Sequence, residues 1–535
     1  MKRLWFLLLV LFSTSAFADD HYYYLITGTI GGPDGVHYPT PDAACQVDYN
    51  QMEAYLASSG YTEAAPYTAP TLSYSEPPNT AVYACNATAT APATDLVSAE
   101  TTTIGDSIQQ AGDNCTDAQT YNPQTQLCED PSDDQNHNEL GDSDSPQATG
   151  GVLICKAVGD PINAAVGNVF ETETDYQDSD GELRFTRYYN SLGGWSHSYQ
   201  TSLYINPNAS TLLLNFEDGH SAIFKVNNGV ATAQPPELGT LVQANGQWVY
   251  TSPANEQYTF NAAGRLVAWR QANGLTQTLT YVTASGAYTP TTITVTDSRG
   301  HTLSWNNSNY GFLTQLTAGD LTVAYTWVKT PSYVFQLTQV AATRAGHTGT
   351  RTYAYGDTRN PRWLTGLTDE RGIAYASWAY DAQGRATSSQ HAGGVDATTV
   401  TYNSDGTSTV SNALGHNVTY TYQVIQGVNR ITHIAGEPAA SCPASNSSYT
   451  YTANGQVQTM TDALGHVTAY TYDTFGREIT RVEAQGTPQA RTITTRWNTT
   501  WPYLRDTVTT ADHTTKYNYD SQGRLLSTTQ HDTKE

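Results

Sequence analysis

An all-β fold, an array of antiparallel strands joined by tight turns, is what this sequence predicts, and three observations carry the prediction. The first is a returning phrase: Tyr380-Asp381-Ala382-Gln383-Gly384-Arg385, Tyr472-Asp473-Thr474-Phe475-Gly476-Arg477 and Tyr519-Asp520-Ser521-Gln522-Gly523-Arg524, with degenerate copies at Phe260, Tyr402 and Tyr451. The second is an alternating phrase, seen at Asp297-Ser298-Arg299-Gly300-His301, Asp369-Glu370-Arg371-Gly372, Asn412-Ala413-Leu414-Gly415-His416 and Asp462-Ala463-Leu464-Gly465-His466. The third is composition. Charged residues make up only 14%, and there are 37 Tyr and 42 Gly, a profile that favours strands with frequent turns.

Each phrase reads as a hairpin turn. Tyr ends a strand, Asp accepts hydrogen bonds from amides inside the turn, Gly supplies a positive φ, and Arg begins the return strand. Between Gly465 and Gly476, eleven residues apart, Tyr470 and Tyr472 fall on one face of an alternating strand. Self-similarity on this scale means one supersecondary unit copied many times, so the Tyr, Asp, Gly and Arg of the phrase are expected to hold the architecture.

The elements follow in order. Residues 1–18 read as a signal peptide: Lys2 and Arg3, an apolar run from Leu4, and Ala16-Phe17-Ala18 before a cleavage site after Ala18. The apolar run is too short for a transmembrane anchor, so an exported chain is expected, periplasmic, secreted or at the cell surface. Residues 19–128 form a small cysteine-containing module, with a strand over 21–30 and an amphipathic helix over 41–58. Six cysteines suit an oxidising compartment. Cys115 with Cys128 and Cys45 with Cys85 are the disulfide candidates, although six cysteines admit fifteen connectivities. Residues 129–150 hold seven acids and no Lys or Arg, which reads as a solvated, disordered tether. Asp142 and Asp144 offer hard oxygens for calcium, but the pattern of a calcium loop is incomplete. Residues 151–229 form an opening domain of short strands, and 230–535 the repeat array.

Net charge narrows the partners. Without the leader there are 23 basic and 49 acidic residues, which disfavours nucleic acid and anionic membrane surfaces. Chemistry is hard to find. Ser196 and His197 are adjacent on a strand, so they point to opposite faces, and no Gly-x-Ser-x-Gly elbow surrounds them. Asp381, Asp473 and Asp520 are turn acceptors and poorly placed as general acids. No CxxC or HxxxH spacing calls for zinc, and neither a cofactor nor a catalytic residue is expected. Arg265, Arg385, Arg477 and Arg524 each follow a turn glycine, where a guanidinium can stack on the preceding ring and pair with the turn aspartate.

The repeat phrases resemble those of the bacterial Rhs or YD-repeat proteins, relatives of the teneurins. A second resemblance lies upstream, in GDPINAAVGNVFETETDY (159–176), LRFTRYYNS (183–191) and GGWSHSY (193–199), which are similar to the domain that opens the repeat shell in Rhs proteins. The resemblance implies a partial β-spiral shell. The family's later Asp-Pro-x-Gly and Asn-x-Tyr-x-Tyr phrases and its variable toxic domain do not appear in this chain. The function expected is that of a non-catalytic scaffold, an interaction protein or a truncated component of a polymorphic toxin system. Its partner would be a polypeptide that completes the shell or a second copy of the chain, with an aromatic inner face left accessible. A glycan-binding module using the Tyr/Trp face is the alternative.

Overall fold

Twenty-six strands, from Thr240–Ala244 to Leu525–Asp532, follow one another in sequence order as a single antiparallel sheet in which each strand pairs with its chain neighbours. The computed structural model describes residues 139–145, 149, 151–152, 154–205, 211–227, 229–285, 289–308, 311–330, 334–437 and 446–533, and before them Cys45 and the backbone of seven strands. The chain divides into two units, Met1–Pro131 and Ser132–Glu535.

In the first unit, a sheet of five strands has the order Tyr22–Ile26, Thr101–Gly112, Thr80–Thr90, Thr62–Ala65, with Thr71–Glu76 also on Thr80–Thr90. A hairpin of Thr120–Asn122 and Leu127–Glu129 follows. The expected leader and most of the expected helix lie outside the described residues. Cys45 and Cys155 are buried and carry no free thiol. The side chains of Cys85, Cys115, Cys128 and Cys442 lie outside the described residues, so the pairings Cys45–Cys85 and Cys115–Cys128 stay proposals.

The second unit is antiparallel throughout. A small hairpin (Ala157–Val158 with Ile162–Asn163) precedes a three-stranded sheet (Phe170–Gln177, Arg184–Asn190, Gly194–His197). A four-stranded sheet from Ser202–Ile205 to Val230–Ala233 leads into the long meander. Helix is scarce among the described residues: Cys45 and Thr149 are helical, and Ala392–Gly394 is a 3-10 turn. No described helix is long and apolar enough to cross a membrane.

The meander returns upon itself. The Tyr503 hydroxyl donates to the carbonyl of Leu238 at 2.8 Å, and the Arg270 guanidinium lies over the Trp501 ring at 5.4 Å, although each pair is more than two hundred residues apart in sequence. Inside this winding lies the chain that precedes it. Asn429 N–H donates to Glu139, the Trp378 indole to the carbonyl of Asp160, Leu364 N–H to the Tyr189 hydroxyl, and Leu203 N–H to the carbonyl of Gly264. The segment therefore runs broadly from the later strands back to the earlier ones.

Two expectations are corrected here. The acidic stretch expected to be a solvated tether is packed at its end: Glu139 and Leu140 are buried, because Glu139 is neutralised by Lys156 and takes hydrogen bonds from Asn163 and Asn429. The aromatic inner face expected to be open is covered along most of its length. Trp248, Tyr258, Trp269, Trp305, Tyr325, Tyr353, Trp378, Tyr380, Tyr420 and Tyr449 are all buried in one core with Ile162, Phe185 and Tyr189 of the inner segment. The cover thins toward the end of the meander. Tyr470, Tyr472, Trp497, Tyr517 and Tyr519 are half-buried, and every residue of Leu525–Asp532 is exposed.

Candidate functional site

The repeat turn is the unit from which the long sheet is built. At Asp381, one carboxylate oxygen accepts the N–H groups of Gln383 and Arg385 at 2.9 Å each, while the other accepts the Arg385 Nε at 2.8 Å. Gly384 N–H donates to the Asp381 carbonyl, and Gly384 has φ +85°, the left-handed position a three-residue loop with a bulge requires. Asp473 with Gly476 and Arg477, and Asp520 with Gly523 and Arg524, repeat these bonds. Gly476 and Gly523 have φ +73° and +80°. The alternating phrase uses the same device: Asp462 accepts from Leu464 and His466, and Gly465 has φ +83°.

The ring before the turn has a task that residue pattern alone did not disclose. Tyr402 donates to the carbonyl of Ala386, Tyr281 to Leu266 and Tyr451 to Ile431, in each case the residue after an arginine. Tyr380, Tyr472 and Tyr519 reach Leu364, Val457 and Arg505 in the same way, and the Trp497 indole reaches Glu478. Except at Leu364, each ring thus satisfies a carbonyl beside the previous bulge, where the ladder loses register. The spacing of fourteen to twenty residues between donor and acceptor is the signal that could have revealed it.

The arginines stack on a different ring from the one expected. Arg385 lies over Tyr402 and Arg265 over Tyr281, both on the following strand, while Arg477 lies between Phe475 and Trp497. The preceding tyrosine points inward to its carbonyl, so the guanidinium meets the next ring instead, and at Arg477 the Phe475 ring of its own turn as well.

Between inner segment and sheet lies a charged seam. Arg187, only 2% exposed, holds Asp175 through Nε at 2.7 Å and NH2 at 2.9 Å, donates to the Tyr353 hydroxyl, and faces the rings of Trp195 and Tyr325. Burial works against its charge, but Asp175 more than offsets that and holds the guanidinium well above its ordinary range. Arg351 pairs with Glu173, and Arg299 bonds Asp178, Asp180 and Asp297. Asp178, Asp297 and His301 bring three potential metal-ligand atoms within 4.8 Å of one another, yet Arg299 already supplies the positive charge to both carboxylates.

Ser196 and His197 do not form a nucleophilic couple. Ser196 donates to the Glu217 carbonyl at 2.6 Å, whereas His197 stacks on Phe185 and is pushed down to about 3 by burial, which keeps it neutral. Asp142 and Asp144 do not converge on a common point either: Asp144 accepts the N–H groups of Lys156 and Ala157, and Asp142 accepts from Asp144.

A repeat sheet wound over its own leading segment, with turns of Asp, Gly and Arg and rings that cap the bulges, defines a structural spiral. Residues 451–488 match the family described as RHS Repeat, and residues 159–224 match a domain of unknown function, DUF6531. The chain thus carries an RHS repeat and a DUF6531 segment. Among solved structures it is similar to "TcdB2-TccC3-TEV", with 11% identity and TM-score 0.35, covering 68% of this chain and 22% of that one. It is also similar to "TcdB2-TccC3", with 14% identity and TM-score 0.28 over 70% and 23%, and to the Photorhabdus luminescens Tc holotoxin pore, with 13% and 0.28 over 69% and 20%. The chain thus spans less than a quarter of the length of each of these structures. No curated protein matches.

Proposed function

We propose that this protein is an exported, non-catalytic Rhs/YD-repeat scaffold whose final strands receive another polypeptide, either a second copy or a chain that continues the sheet. The observation that carries this reading is the gradient of cover. The inner face is sealed up to Tyr449 and Val457 and half-open beyond, and every residue of Leu525–Asp532 is exposed. Half-covered rings together with Leu525 and Leu526, at 56% and 68% exposure, form an apolar surface that a partner can cover. The repeat family makes an interaction protein or a toxin-system component the natural setting. Every charged group of the seam between inner segment and sheet that has been traced above is engaged in holding structure, which supports a role without turnover.

Sedimentation of residues 19–535 tests the reading. Concentration-dependent association that Leu526→Lys abolishes is the expected result. A monomer at all concentrations that is nonetheless toxic when expressed in target cells overturns it.

A second reading, glycan binding, is favoured by the half-buried rings of Tyr470, Tyr472, Trp497, Tyr517 and Tyr519, since partly exposed aromatic rows can stack on sugars. A glycan array on the same protein, with Trp497→Ala as the control, separates the two.

A further inference from the structure

Three buried polar side chains meet where the inner segment begins. Glu139, Lys156 and Asn163 are 1%, 1% and 2% exposed. One oxygen of Glu139, Oε2, accepts both from the Lys156 Nζ and from the Asn163 Nδ2, the latter at 3.0 Å, so two nitrogens of different chemistry stand on the same carboxylate oxygen. The Asn163 amide is fixed in orientation. Its Nδ2 also donates to the Glu139 carbonyl at 3.2 Å, and its Oδ1 accepts the Ala165 N–H at 3.0 Å. The other Glu139 oxygen is held by Asn429 N–H at 2.5 Å.

We propose that this cluster is a self-modification site, in which Lys156 and Asn163 become joined by an isopeptide bond with Glu139 carrying the protons. Each part the reaction needs is present. A desolvated lysine is a nucleophile once it loses its proton, and burial lowers the proton affinity of Lys156, with Glu139 opposing and Arg430 reinforcing the effect. A carboxylate in contact with both nitrogens can take a proton from one and deliver it to the other. The Ala165 N–H points at the oxygen on which negative charge develops.

The bonds balance without a further reactant. Lys156 Nζ gives a proton to Glu139 and attacks the Asn163 Cγ, forming the Nζ–Cγ bond and moving the carbonyl electron pair onto Oδ1. The pair returns as the Cγ–Nδ2 bond breaks. Of the three ammonium protons one remains on the new amide, and two pass through Glu139 to the leaving NH2, which departs as ammonium. Nothing is oxidised or reduced, and Glu139 ends as it began. The product replaces a buried cation with a neutral amide, which removes a desolvation cost. Glu139 keeps a counter-charge in Arg430, which burial pushes down to about 10 while Tyr451 and Glu139 oppose the fall.

The full-length protein, reduced, denatured and cut before aspartate, tests this directly. Cleavage before Asp144, Asp160 and Asp175 places Lys156 in fragment 144–159 and Asn163 in fragment 160–174. The expected product is one branched species lighter than the two fragments together by one ammonia, with fragmentation locating the link at Lys156 and Asn163. Glu139→Gln should slow its formation at least ~100-fold, and Lys156→Arg should abolish it. Two separate fragments of full mass from the wild-type protein overturn the proposal, as does recovery of residue 163 as aspartate. Linkage in Glu139→Gln at the wild-type rate overturns the role of Glu139. Since the wild-type digest is read under denaturing conditions, it decides the question even where a variant fails to fold.

Discussion

Arg385 lays its guanidinium 4.2 Å from the ring centroid of Tyr402, which ends the strand Val395–Tyr402 paired to the return strand Ala386–His391. The same ring sends its hydroxyl to the carbonyl of Ala386 at 2.6 Å, so one tyrosine secures both the arginine and the backbone beside it. Tyr402→Phe removes only the hydroxyl and leaves a buried carbonyl short of a donor, at an expected cost of about 1–2 kcal/mol. Arg385→Lys keeps charge and loses the planar fork on Asp381, for roughly 1 kcal/mol. Chemical denaturation of the full chain measures both, and the double variant should cost less than the two losses added, because the groups share a ring.

Turn glycines differ in what surrounds them. Gly415 has φ +80° and open space where a Cβ would stand, whereas a Cβ on Gly476, φ +73°, would come within 2.5 Å of the Leu238 side chain. Gly415→Val should therefore cost about 1–2 kcal/mol from backbone strain alone, and Gly476→Val about 2–4 kcal/mol. Equal losses would show that the contact with Leu238 is loose.

Arg187→Met leaves Asp175 buried without its cation. A loss of about 3–5 kcal/mol is expected, larger than for any turn arginine exposed at the surface. Adding Asp175→Asn to that variant should restore part of it. Melting temperatures of the single and double variants read the difference.

Acid should act in two opposite steps. Burial beside Asp160 and Glu173 holds the Glu171 carboxyl well above its ordinary value, so the folded state binds this proton more tightly and gains stability as pH falls through the raised value. Burial pushes Asp381 up, but the Arg385 N–H and guanidinium outweigh it, and the Arg524 N–H keeps Asp520 low. For these two the unfolded chain binds protons first, so their stabilisation is present above about pH 4 and is lost as pH falls through their lowered values. A melting curve against pH should hold or rise in mild acid and drop steeply below about 4. Glu171→Gln should erase the first step, and Asp381→Asn with Asp520→Asn should flatten the second.

Much of the array was legible because its signal is local. Asp381, Gly384 and Arg385 lie within five residues, and the turn chemistry of Asp and Gly has few alternatives. What Arg385 stacks on was misjudged, since both Tyr380 and Tyr402 are near in space and only the inward direction of Tyr380 decides between them. The cover over the inner face was not legible at all. Glu139 sits in a stretch whose composition reads as solvated, and its burial depends on Lys156, Asn163 and an amide 290 residues away. Composition averages over neighbours in sequence and is blind to a partner of that kind.

The direction of the inner segment has a bearing on how the molecule comes to exist. Residues 139–203 are synthesised before any strand of the long sheet, yet the first of them is fastened to one of the last buried strands and the last of them to one of the earliest. The ribosome therefore delivers the filling before the wrapping. Its strand Arg184–Asn190 and the rings of Phe185 and Tyr189 must wait, apolar and unclothed, while the repeats emerge one hairpin at a time and coil around them. Closure begins near Gly264 and reaches Glu139 only with Asn429. Residues 139–203 thus serve as a mandrel, and the winding of the repeats advances along them toward their beginning.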